Sequence, residues 1–475
     1  MSSALLIILA TILLSLVVGM AAGRRVTMNL EGWTVGGRQF GLLLVWLLMA
    51  GEVYTTFIFL GASGWAYARG APAFYIPIYG TLAYTVSFFL LPPLWRVGKR
   101  HLLHTQPDFF ALRYRSPALG VLVAVVGGVS IVPYLQLQLR GLGLIVEVAS
   151  GGAIGAQVAI AIAFVTSCAF VFTSGLKGVA WVAVLKDVMM ITAVAVVGIG
   201  VPAIYFGGFA GVLREMAARM PNHLVLPGAT DTLGVAWVMS TTLLSGLGFY
   251  MWPHLFASTF SAKSDTVIRR NAIIMPFYQL PILLVFLVGF TAALVIPGLA
   301  NGDIALLEIV KRTYPPWFLG FVGAAGAVTA MVPAAILVLA AATLLAKNVC
   351  VPLLLPRASE ATVMSLIRVL VPVVMAAALA SALLFPNELV NLLILGYDGV
   401  SQLFPGVALG LFWRRVSRAG VTAGLLVGVA TVAALIMSGH DPVLGLNAGF
   451  VALVLNTLVT VAVSLVTQPV EGELE

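Results

Sequence analysis

Charge is what this chain has least of. Only 9% of its 475 residues are Asp, Glu, Lys or Arg, whereas about a quarter are charged in soluble domains, so water cannot be the main solvent of the fold. Cysteine is scarce too. Cys168 and Cys350 are the two present, each in or beside an apolar run, which excludes a disulfide framework and a paired-cysteine metal site. No G-x-S-x-G, HExxH or P-loop occurs, and the five histidines, His101, His104, His223, His254 and His440, fall in loops or at span ends. Neither an enzyme nor a cofactor is therefore expected. No Lys/Arg-rich tract lies in a soluble stretch, so the net charge of +8 points to basic loops beside a membrane and not to nucleic acid. Finally, no basic region precedes the first apolar run and GRR follows it. The first twenty residues read as a retained span, with the mature chain starting at or near Met1, and not as a cleaved signal.

What is abundant is apolar sequence, 61% of the chain. A hydrocarbon core about 30 Å thick needs roughly 20 apolar residues per helix. Suitable runs lie at 4–22, 40–64, 73–95, 118–149, 153–174, 178–206, 233–256, 272–297, 315–347, 362–385, 387–413, 419–438 and 445–467. The expectation is an all-α membrane protein of about 13 transmembrane helices, forming one transporter domain over 1–475. Its partners are the lipid bilayer and a small-molecule solute; the sequence sets no oligomeric state. Basic residues collect in the odd-numbered connections: Arg24, Arg25 and Arg38, then Arg96, Lys99, Arg100, Arg113 and Arg115, then Lys263, Arg269 and Arg270, then Lys347 and Arg357, then Arg414, Arg415 and Arg418. The even-numbered ones hold Arg69, Arg214, Arg219, Lys311 and Arg312. The positive-inside rule then puts the N-terminus outside and the C-terminus in the cytoplasm of a cell carrying the protein in its plasma membrane.

Two spans look broken. The second reads LLMAGEVYTTFIFLGASG, with Gly51, Glu52, Tyr54 and Thr55 near the bilayer midplane; the seventh reads STTLLSGLGFYMWPH, with Gly246, Gly248 and Pro253 close together. Glycine in membrane helices also serves close packing. The breaks lie five spans apart, however, the relation expected of the first helices of two inverted five-helix repeats with a solute site at their interruptions. On that reading 1–37 is an extra N-terminal span and loop, 38–206 and 207–413 are the repeats, and 414–475 holds two further spans and the tail.

The stretches FLGASGWAY, HTQPDFFALRY, PYLQLQLRGLG, SGLKGVAWVAVLKDVMM and WPHLFASTFSAKS resemble the sodium:solute symporter family, which implies the leucine-transporter-type fold with an extra N-terminal span. Within it, GEVYTTFIFLG and MVPAA look most like the branch holding bacterial monocarboxylate permeases, which implies a small carboxylate as solute. The resemblance also implies a sodium site built from carbonyls of the broken span two and two hydroxyl side chains of span nine. Here Val332 and Pro333 stand where those hydroxyls belong, and neither offers a side-chain oxygen to a hard cation. A second departure lies in span six, where Trp181, Val182, Ala183 and then Lys186 replace the family's hydroxyl and acid pattern.

Lys186 lies about 12 Å inside its helix at 1.5 Å per residue. A cation at that depth marks an ion or proton path, unless its long stem snorkels to the surface. The functional reading is that its ammonium fills the vacated sodium site, as in proton-coupled amino-acid transporters of the same fold. The proton is then the expected coupling ion, and the alternative is sodium held by other ligands. Glu52 either bonds free amides at the break, binds the solute or takes the proton. Asp187 is set about 100° around the helix from Lys186, so the two are not expected to be partners. Arg140 and Glu147 lie two turns apart on one face of span four and either form a gate network or lean towards headgroups. Tyr134 and Gln138 offer a ring and an amide to the cavity, and Tyr250 and Trp252 are candidate lids. Asp398 reads as a polar break in the inner half of span eleven, and Asp108 as a helix cap. A channel or a transporter-like sensor is the rival function. The ending EGELE carries no kinase or receiver domain, which sets the expectation of transport.

Overall fold

The computed structural model describes residues 3–23, 30–230 and 232–470; Arg24, Arg25 and the EGELE end lie outside them. Among the described residues the chain is helical, with isolated bridges at Phe40–Ala262 and Val443–Leu446 and no strand. Among the described residues, ten helices are long and apolar enough to cross a membrane. Shorter apolar helices supply the rest: Leu42–Gly51 and Phe57–Ala68 are the halves of span two, Ala156–Phe172 is span five, and Val235–Met251 opens span seven. Leu43, Phe89, Val129 and Trp181 are exposed on the outside of the bundle. That arrangement suits lipid, where every backbone group must already be paired inside its own helix.

Helical structure runs without a stop from Ala156 to Phe206, where the sequence sets two spans. A straight helix of that length would be about 77 Å long at 1.5 Å per residue. Near its start, however, Ala159 packs with Leu5 and Val146, and near its end Tyr205 meets Thr313. Gly320 lies against Ala4, which ties both places to one end of the bundle, so the stretch crosses twice.

Serine and asparagine caps start several spans. The Ser116, Ser359, Ser417 and Asn447 side chains accept from the amides of Leu119, Thr362, Gly420 and Phe450, satisfying donors that a helix start leaves free. Asp108 does the same as expected, accepting from the Thr105 amide at 2.9 Å, and it also meets Lys347 and Asn348. Burial opposes its charge, but the Lys347 ammonium and these bonds hold its carboxyl below the ordinary carboxylate value.

Both expected breaks are present. Span seven is helical over Val235–Gly248, tightens over Phe249–Met251 and resumes at Pro253–Thr259. Pro253 lacks an amide hydrogen and pushes the residue before it out of helical geometry, which is why Trp252 turns at ψ 127°. The Met251 carbonyl accepts from the Gln106 side chain at 2.9 Å. Span two breaks between Gly51 and Phe57 without a proline. Glycine is a weak helix former, and the Thr55 hydroxyl competes locally by accepting from the Phe57 amide at 3.1 Å. Close approach at this break depends on Gly141 of span four, where a Cβ would come within 2.5 Å of Thr56.

Candidate functional site

The break in span two frees carbonyl oxygens, and Lys186 takes them. Its Nζ donates to the Gly51 carbonyl and to the Tyr54 carbonyl at 3.1 Å, and lies 3.1 Å from Asp187 Oδ1. Two carbonyl bonds and one ion pair thus hold the ammonium, in a side chain 0% exposed. The Asp187 contact corrects the expectation from helical spacing, because a four-carbon stem can curl back onto its neighbour. The lysine does not snorkel: it is held at the break. Val332 and Pro333 are fully buried within the unbroken helix Pro316–Thr343 and contribute no polar side chain there. One turn earlier, Thr329 is also fully buried.

On the other side of the break Glu52 meets a group whose role the sequence did not suggest. His254 Nε2 lies 3.2 Å from Glu52 Oε2, with both side chains 1% exposed. His254 follows Pro253, so this contact joins the two broken helices directly. The expectation that the histidines sit in loops or at span ends fails for His254, since the break in span seven carries it into the core.

Cavities lie along the bundle. A central one is lined by Glu52, Tyr79, Tyr134, Trp252, Gln279 and Tyr397, among others. Its volume is about 20 Å³, room for about one water. Towards the end carrying Arg38 and Lys347 lies one of about 60 Å³, lined by His104, Thr105, His254, Ser258, Ser261 and Thr343 among others. At the opposite end about 470 Å³ is bordered by Trp65, Arg69, Trp237, Asn387, Asp398 and Asp441 among others.

The sequence-based candidates divide among these features. Glu52, Tyr134 and Trp252 meet at the central cavity, where the Tyr134 hydroxyl donates to the Glu52 carbonyl at 3.3 Å and the Tyr134 and Trp252 rings are 5.0 Å apart. Gly51 and Tyr54 act through their carbonyls, and Thr55 through the turn. The Gln138 side chain accepts from Thr56 at 2.8 Å and so braces the break from span four. Tyr250 is buried against Phe249 at 5.0 Å and is not among the cavity's lining residues. Arg140 and Glu147 form no ion pair among the described residues. Arg140 instead acts on Asp303, whose carboxyl burial pushes up to about 6, opposed by the Leu389 amide and by Arg140. Asp398 interrupts no helix: it is buried within Leu389–Val400 and faces the cavity at the end opposite the basic residues.

Two broken helices meeting at midspan around a small cavity, with further cavities towards both ends of the bundle, define a secondary transporter of the leucine-transporter type. The chain belongs to the sodium:solute symporter family, matching it over residues 33–428. It is 46% identical to an uncharacterized symporter, YhjB, of Bacillus subtilis (strain 168), covering 98% of each chain. It is 29% identical to a monocarboxylate transport permease protein of Rhizobium johnstonii, covering 84% of this chain and 81% of that one. Its fold matches that of a Na+-coupled sialic acid symporter in a substrate-bound outward-open state, with a TM-score of 0.81 over 99% of this chain and 98% of that one, at 14% identity. The chain is thus a multi-pass membrane symporter for a small solute, and not an enzyme.

Proposed function

We propose that this protein carries a small carboxylate together with protons, independently of sodium, with Lys186 in the place of a bound sodium ion. One observation carries the reading: the Lys186 ammonium sits on the Gly51 and Tyr54 carbonyls freed by the break in span two. Such carbonyls are what a transporter break offers to a coupling cation. A second cation about 4 Å from the ammonium would be repelled by roughly 4 kcal/mol at an effective dielectric of 20, which cancels ordinary millimolar binding. Lysine and sodium therefore exclude each other. A carboxylate is supported by the Rhizobium relative and by the Trp252 indole N–H, a buried donor at the central cavity with no hydrogen-bond partner among the described residues.

The test is uptake of radiolabelled organic acids into proteoliposomes under separately imposed gradients. An inward proton gradient without sodium should drive accumulation. A sodium gradient at fixed pH should not, and if it does, the reading fails in favour of a sodium symporter using other ligands, with the Thr329 hydroxyl one turn from Val332 as the first to examine.

The basic end of the bundle is proposed to face the cytoplasm. In a Cys168→Ser, Cys350→Ser background, Arg115→Cys should resist impermeant thiol reagents in intact cells and Arg214→Cys should react. Equal labelling of the two would overturn this orientation.

A further inference from the structure

The Glu52–His254 contact has no part in the lysine site and needs its own account. Glu52 borders the central cavity and His254 borders the cavity at the basic end, so the pair forms part of the wall between the two. The two groups approach to 3.2 Å, yet neither the Glu52 carboxyl oxygens nor the His254 ring nitrogens make a hydrogen bond among the described residues. Buried polar groups left without a hydrogen bond are costly and call for an explanation. Among the described residues neither group forms another ion pair. Span four presents the Tyr134 ring 6.1 Å from the imidazole, and span seven the Trp252 ring, also at 6.1 Å. Span nine brings Ile336, Leu339, Ala340 and Thr343 to the basic-end cavity, and the loop before Asp108 brings His104 and Thr105. His104 has its imidazole pushed down to about 4 by burial and the Lys347 charge, so it stays neutral near pH 7. Lys186 is committed to the far side of Gly51 and to Asp187.

We propose that Glu52 and His254 form a second proton site, which takes up a proton with the solute and releases it through the basic-end cavity. It rests on the reading of the solute as a carboxylate. An anion in the central cavity would face the Glu52 carboxylate, and two like charges close together in a buried site repel each other. A proton on Glu52 removes that repulsion and leaves a hydroxyl that can donate to the solute. After the solute leaves, Glu52 Oε2 gives the proton to His254 Nε2, forming carboxylate and imidazolium. The imidazolium passes a proton to water in the basic-end cavity and returns to neutral imidazole. Charge and protons balance over the cycle: one proton enters on Glu52 and one leaves from His254.

Two measurements decide it. Infrared difference spectra of the purified protein titrated in lipid nanodiscs, with no solute present, should show a protonated-carboxyl band that Glu52→Gln deletes. In His254→Gln its titration should move by about one pH unit or more. In proteoliposomes with radiolabelled lactate as probe, His254→Gln should lose roughly tenfold or more of proton-driven net uptake, the equivalent of one pH unit of proton affinity. Exchange of internal for external lactate at equal pH should persist, because exchange needs no net proton release, and its persistence shows a folded protein. The proposal is overturned if the band titrates identically in His254→Gln, or if that variant accumulates lactate normally under a proton gradient. Wild-type transport driven by sodium alone would sink the proposed coupling instead, and the infrared titration would still decide the fate of this pair.

Discussion

Lys186→Ala is expected to reduce proton-driven uptake by roughly a hundredfold or more, without rescue by sodium. The lysine makes two charge-assisted bonds to carbonyls at the break, each contributing about 1.5–3 kcal/mol. If only part of that, some 2.8 kcal/mol, holds the transport-competent arrangement, its loss is a factor of about a hundred. The substitution also strands Asp187, and breaking a buried pair by removing one partner destabilises by about 3–5 kcal/mol. Loss of uptake alone could therefore reflect misfolding. Lys186→Ala with Asp187→Asn separates the two causes. The double variant carries no unpaired buried charge, so its thermal unfolding temperature should recover most of the loss, while proton-driven uptake should stay absent. If the double variant accumulates solute like the wild type, Lys186 is only the counter-ion of Asp187 and coupling lies elsewhere. Uptake is read in proteoliposomes, and unfolding by static light scattering of the detergent-solubilised protein.

The sequence made the membrane class, the crossings and both breaks legible because each rests on local signals: apolar run length, a glycine beside an acid, and a proline after a tryptophan. Lys186 stood out in the sequence as a cation deep inside a span, while its bonds to the Gly51 and Tyr54 carbonyls appear only once the spans are packed. His254 did not stand out, because its partner belongs to another span and the two meet only when both breaks are stacked. Asp187 was misjudged for a different reason. Angular separation on a helix fixes where Cβ atoms point, but not where a long flexible side chain ends. Tyr250 and Trp252 looked equivalent in sequence, and Pro253 distinguishes them by turning Trp252 out of the helix and towards Glu52. The helical run over Ala156–Phe206 contains the two crossings that the sequence separated, and the contacts at its two ends reveal them.

Glu52→Gln should abolish net accumulation under a proton gradient, by roughly a hundredfold, and leave the protein folded and inserted. Glutamine keeps the shape and one carbonyl acceptor of glutamate, so the approach to His254 is kept without a charge and the packing at the break changes little. What is lost is the ability to bind and release a proton at the wall of the central cavity, and an ionisable group at this depth is retained for such a task and not for stability. Removing the charge also removes its repulsion of a bound anion. Lactate affinity should therefore stay the same or rise while accumulation vanishes, a split that a damaged fold would not produce. Both quantities can be followed in one preparation, binding by scintillation proximity on the purified protein and accumulation in proteoliposomes. Wild-type accumulation by Glu52→Gln would make Glu52 a structural acid that satisfies the broken helix. Loss of binding together with accumulation would make its carboxylate a ligand for the solute, pointing to a cationic solute in place of a carboxylate.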